Sequence, residues 1–172
     1  MDASGEPIAR GTPASTGVAV GRAVFDSRQA RTMAEKGQAA ILIRGGTAAE
    51  DIEGIAAAEG ILTASGCRTS HAAVVARQLG KVCVVGCGGL RIGASGRECT
   101  IGGQRFVLGD PLSIDGDNGA VFAGKVAVRR ERPDAALARI AEWRDAKSAA
   151  PPPRPAGLSV TRTPSALTRA PG

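Results

Sequence analysis

The sequence predicts an α/β domain, and three observations predict it. Aliphatic, strand-like runs alternate with helix-like segments from Val18 to Val85. After Val85, short β-type runs follow one another between glycine-rich turns. The chain is 43% hydrophobic, yet its aromatic residues are only Phe25, Phe106, Phe122 and Trp143. Val, Ile, Leu and Ala must therefore build the core. A length of 172 residues allows one domain with appendages. The expected division is an α/β domain over 1–125, a helical extension over 126–148 and a disordered, Pro-rich basic tail over 149–172.

Val18–Phe25 alternates loosely between Gly17 and Asp26 and reads as a strand. Ser27–Lys36 reads as a short helix stopped by Gly37, and Ala39–Ile43 as a buried strand. Thr47-Ala48-Ala49-Glu50 has the spacing of a capping box, with Thr47 as cap and Glu50 reaching back. The helix it opens should run to about Ala58, with Ile61–Thr63 as the next strand. Ala72, Val75, Ala76 and Leu79 recur at i, i+3, i+4 and i+7, one face of a helix that Gly80 ends. Lys81–Val85 is a further strand. Thr100–Ile101, Gln104–Leu108, Leu112–Ile114 and Ala120–Phe122 suggest a β meander. Pro133 suits the first turn of a helix reaching about Lys147. From Ala149 onward the chain holds six of its ten prolines and no acidic residue, the composition of a tail or linker.

The net charge of +6 is unevenly placed. Residues 1–125 carry 13 Lys and Arg against 12 Asp and Glu, whereas residues 126–172 carry 9 against 4. The basicity belongs to the end of the chain. The body has neither the cationic field nor the aromatic platforms of a single-strand binder, so nucleic acid is not an expected partner. No run reaches membrane-spanning length, and MDASGEPIARG has no apolar h-region, so no membrane is expected. Cys67, Cys83, Cys87 and Cys99 form no CxxC pair, and no metal site is expected. They read as buried or half-buried thiols, and a cytoplasmic location follows as the default.

The stretch GCRTSHAAVVARQLG holds the chain's one histidine, His71, at the expected start of a helix. A helix N-terminus presents unpaired amides and the positive end of the dipole, so it favours an anion. Neutral imidazole is a nucleophile. Arg68 offers a fork of donors, and Thr69 and Ser70 offer hydroxyls. Together they describe a phosphoryl acceptor, against the plainer alternative of a surface or capping histidine. Arg77, six residues on, reads as a surface ion-pair partner. No G-x-x-x-x-G-K-[ST] loop occurs, and Gly86-Cys87-Gly88-Gly89-Leu90-Arg91 lacks the last glycine of a dinucleotide fingerprint and reads as a turn.

GILTASGCRTSHAAVVARQLGKVCVVGC resembles the phosphohistidine region of the phosphoenolpyruvate-utilising enzymes, most of all its pyruvate phosphate dikinase branch. The likeness extends from Gly11-x-Pro13-Ala14-Ser15-x-Gly17 to about Gly124-Lys125. It implies a swivelling β/β/α domain of the phosphohistidine type. It also implies that His71 accepts a phosphoryl group at one site and delivers it at another. By position Arg68, Thr69, Ser70 and the Ala72 amide would hold the phosphate. Thr69 would also be a regulatory phosphorylation site, where a phosphothreonine repels an incoming phosphoryl group. The implied partners are an ATP-grasp nucleotide-binding domain and a TIM barrel for phosphoenolpyruvate or pyruvate. Both would lie on other chains, because 172 residues cannot contain them. No cofactor is expected on this domain, with Mg2+ and ATP confined to the partners.

Two departures matter: Cys67, and the absence of the ATP-grasp and barrel domains. Arg68 occupies a position where the dikinases usually have Met, while phosphoenolpyruvate synthase and sugar-phosphotransferase enzyme I have Arg. Cys67 replaces the second glycine of the family's Gly-Gly pair, which costs about 1–2 kcal/mol if that position needs positive φ. The chain reads as a stand-alone carrier, an excised domain or a truncated remnant, with Met1 and the proline-rich end favouring a natural short chain. The expected function is a phosphoryl carrier; the alternative is a non-catalytic interaction or regulatory module of the same fold.

Overall fold

The computed structural model describes residues 2–3 and 6–129. The helix expected from Pro133 and the tail expected from 149 lie outside the described residues. Four strands of one sheet run parallel: β4 (Val18–Val24), β5 (Ala40–Arg44), β6 (Gly60–Thr63) and β7 (Val82–Val85). Helices α1 (Ser27–Glu35), α2 (Ile52–Ala57) and α3 (His71–Gln78) link them in chain order. Parallel neighbours need such crossovers, and the alternation in the sequence supplied them.

β5 shows how the layers arise. Side chains alternate across a strand, so Ile41 and Ile43 join one buried cluster while Ala40 and Leu42 join another. The second cluster lies under the helices and includes Val24, Ile61, Cys83, Ile55, Ala72, Ala73 and Ala76. The first lies on the opposite face with Leu90, Ile101, Leu112, Ile114 and Val121. Those residues come from antiparallel strands: β8 (Leu90–Ile92), β9 (Glu98–Ile101), β11 (Pro111–Asp115) and β12 (Ala120–Ala123). β10 (Gln104–Val107) completes a three-stranded sheet with β9 and β8, while β11 joins β4 and β12. The parallel sheet is thus covered by helices on one face and by antiparallel strands on the other.

Two short strands near the N-terminus close the structure. β2 (Ala9–Arg10) pairs with β12 at one edge of the eight-stranded sheet, and β3 (Thr12–Ser15) pairs with β7 at the other. Only Gly11 separates them, so the two edges meet within one residue's reach, and closure removes free edges. β1 (Asp2–Ala3) pairs with β13 (Val128–Arg129).

Three details correct the sequence reading. The expected Thr47–Glu50 capping box does not form; one residue later its reciprocal half stands alone, the Ala48 amide donating to Asp51 Oδ2 at 3.0 Å, since Ala48 has no side-chain acceptor. Asp51 is buried and bridged to Arg44, with Nη2–Oδ1 at 3.3 Å, which holds its carboxylate where Glu50, exposed, cannot reach. The helix then splits into a 3-10 turn (Ala49–Asp51) and α2. On α3 the buried face is Ala72, Ala73 and Ala76, because methyl groups allow close approach to β7 and β3; Leu79 is 44% exposed. The stretch after Gly86, read as a turn, enters β8 at Leu90.

Of the four thiols three are buried, and Cys67 is exposed, contrary to the expectation. Loss of water pushes Cys83 and Cys99 up to about 12. Above about pH 8.5, the ordinary thiol range, the unfolded chain releases these protons and the folded chain keeps them. Their contribution is complete below that pH and is lost as pH rises toward about 12. The slope is about 1.4 kcal/mol per pH unit for each thiol. Urea midpoints measured from about pH 8 to 11 should therefore fall, and fall less steeply in Cys99→Ala; identical profiles would contradict this.

Candidate active site

The loop between β6 and α3 begins at the carboxyl end of the parallel strands. Thr63 Oγ1 donates to the Ser65 carbonyl at 2.7 Å, and Ser65 Oγ donates to the Gly45 carbonyl at 2.7 Å. The chain then turns at Gly66, whose φ of 114° belongs to the left-handed region that favours glycine. A Cβ there would also press on Ser70 Oγ at 3.1 Å. No residue other than glycine has positive φ among those described, so Cys67 carries none of the feared strain.

A turn over Cys67–Ser70, closed by the Ser70 amide donating to the Cys67 carbonyl at 2.9 Å, delivers the chain into α3. His71 is the first helical residue and is exposed. Ser70 occupies the N-cap position with extended backbone, but no side chain caps this helix. The amides of the first turn are therefore left for solvent or a ligand. Ser70 Oγ is buried with no hydrogen-bond partner. Removing a capping serine usually costs about 0.5–2 kcal/mol. Here Ser70→Ala should change stability by less than about 0.5 kcal/mol, since no cap bond exists to lose. Thermal melts check this, and a loss above about 1 kcal/mol would mean that the cap bond forms.

Thr69, Ser70 and the Ala72 amide stay with His71 at the start of α3, with Thr69 exposed and Ala72 buried. Arg68 Nε donates to the Pro13 carbonyl at 2.9 Å. Arg77, expected as a surface ion-pair partner, bonds instead to backbone carbonyls among the described residues. Its Nη2 donates to the Arg68 carbonyl at 2.6 Å and its Nε to the Ala73 carbonyl at 3.2 Å. No carboxylate pairs with it among the described residues. The two guanidinium groups line a surface depression of about 550 Å³ with Ala14, Ser15, Thr16 and Gly80. The sequence reading missed this depression, although one signal was present: no Asp or Glu occurs between Glu59 and Glu98.

Cys67 Sγ lies 3.1 Å from Thr69 Oγ1. That hydrogen bond, with help from backbone amides, holds its thiol below the ordinary value.

Residues 36–119 match the family described as PEP-utilising enzyme, mobile domain. Pyruvate, phosphate dikinase of Clostridium symbiosum is 43% identical over 142 residues, which are 83% of this chain and 16% of that protein. The chloroplastic pyruvate, phosphate dikinase 1 of Zea mays is 49% identical over 118 residues, 69% of this chain and 12% of its own. The chain therefore spans less than a fifth of the length of the relatives it matches. An NMR solution structure of Enzyme I overlaps 62% of this chain and 38% of its own, at 22% identity and a TM-score of 0.36.

Proposed function

Because this chain belongs to the family of PEP-utilising enzymes, as their mobile domain, we propose that His71 carries a phosphoryl group between separate catalytic sites. The unprotonated ring nitrogen attacks phosphorus on the donor. A P–N bond forms as the P–O bond to the leaving group breaks, and the leaving oxygen keeps the electron pair. The reverse exchange hands the group to the acceptor. The observation that carries this reading is an exposed His71 at the first position of a helix whose amides no side chain caps.

In this reading the amides of His71, Ala72 and Ala73 receive the phosphoryl oxygens. Thr69 and the orphaned Ser70 hydroxyl complete the cradle. Arg68, anchored at Pro13, is removed from the first contacts. The donor and acceptor sites are an ATP-grasp domain and a barrel that binds phosphoenolpyruvate or pyruvate, and magnesium and ATP are held there. The domain moves as a swivelling β/β/α body between them, which suits its layering. A reducing compartment such as the cytoplasm suits the free thiols.

Incubation with labelled phosphoenolpyruvate and the purified barrel domain of a pyruvate phosphate dikinase tests the proposal. The expected label is acid-labile and base-stable, and Ser70→Ala accepts it more slowly. No label would favour a non-catalytic binding module. Thr69 is the regulatory position: a negative charge two residues from His71 repels the incoming group. Thr69→Asp should therefore take up label at least tenfold more slowly, the effect of about 1.4 kcal/mol of repulsion in the transition state. Equal rates in the two proteins would remove Thr69 from this role.

A further inference from the structure

The depression beside α3 calls for an anion on grounds separate from those at His71. Each guanidinium has five N–H donors. Arg68 spends its Nε on Pro13, and Arg77 spends its Nε and one Nη2 hydrogen on Ala73 and Arg68. The rest have no protein acceptor among the described residues. Two like charges lining one depression repel unless an anion joins them. No carboxylate among the described residues lines the depression. Ser15 and Thr16 add hydroxyls that no described residue engages.

We propose that the Arg68–Arg77 depression is an oxyanion-binding subsite for a phosphate group, distinct from the place where His71 takes its phosphoryl. One guanidinium fork satisfies a planar carboxylate, whereas two guanidiniums with two hydroxyls suit an anion with several oxygens and nearly two negative charges. No aromatic ring lines the depression, so a nucleobase has nothing to stack on, and the phosphate itself is what is recognised. Its source is inorganic phosphate or the phosphomonoester of a small molecule. The Arg68 and Arg77 side chains and the loop leading to His71 share hydrogen bonds, so occupancy is felt there.

NMR of the full chain, following arginine Nε–Hε signals, tests this with inorganic phosphate titrated against chloride at equal ionic strength. Arg68, Arg77 and the Ser15 and Thr16 amides should shift together along one saturating curve. His71→Ala should leave that curve unchanged, so failure here and failure at His71 are separable. Arg68→Gln should weaken binding about tenfold, the loss of one charge-assisted contact. Arg77→Lys, which keeps the charge but not the fork, provides a second variant should the first disturb the loop; it should also weaken binding. A parallel titration with glycerol 3-phosphate separates the sources: saturation by both assigns the site to phosphomonoesters, saturation by phosphate alone to the free ion. Equal shifts with acetate or chloride, or shifts confined to the amides of His71–Ala73, would overturn the proposal.

Discussion

His71→Ala should reduce the acid-labile label from phosphoenolpyruvate to the level of a blank, while the protein melts where the parent does. The ring is exposed and heads a helix, so its removal costs less than about 0.5 kcal/mol. No other residue near it supports the same chemistry. Thr69 forms an acid-stable ester, and the exposed Cys67 is a thiol whose phosphoryl adduct is separable by its own lability. Acid-labile, base-stable label surviving in His71→Ala would therefore remove the nucleophile from α3 altogether. Circular dichroism on the same sample separates loss of chemistry from loss of fold.

The second large effect is structural. Gly119 has a φ of 76°, and its carbonyl accepts from the Gly11 amide at 2.8 Å, where β2 gives way to β3. A Cβ at this position would drive into the Gly11 carbonyl oxygen and sit 3.2 Å from Pro13 Cδ. Left-handed strain adds about 1–2 kcal/mol to that clash. Gly119→Ala should lose about 3–5 kcal/mol, a large part of the stability of a domain this size. Gly88→Ala, where a Cβ meets nothing within 4 Å, should stay near the parent. Urea melts of the two variants check the difference, and similar midpoints would mean that the β2–β3 crossing does not hold the sheet closed.

What could be read in the sequence was local. The runs at Ala40–Arg44, Gly60–Thr63 and Val82–Val85 are aliphatic because both faces of those strands are buried, and such runs announce themselves. His71 was legible for the same reason: a helix start needs only its neighbours to be recognised. What was missed depends on distant partners. β2 and β3 are short, and β3 contains Pro13; they exist as strands because they pair with Val121 and Val85, far along the chain. Asp51 replaces Glu50 in the cap because Arg44, at the end of β5, holds it. Arg68 Nε finds its acceptor in the carbonyl of Pro13, 55 residues away. Spacing within GCRTSH carries no information about that.

The most direct measurement uses the solitary imidazole. With its ring nitrogens labelled as nitrogen-15, the chain is phosphorylated from phosphoenolpyruvate by a dikinase barrel domain and observed by phosphorus NMR. The account predicts one phosphorus signal split by coupling to a ring nitrogen, which disappears on mild acid and on return of pyruvate. A signal lacking that splitting, or one that outlasts acid, would put the phosphoryl group on oxygen or sulfur and contradict a carrier role for His71.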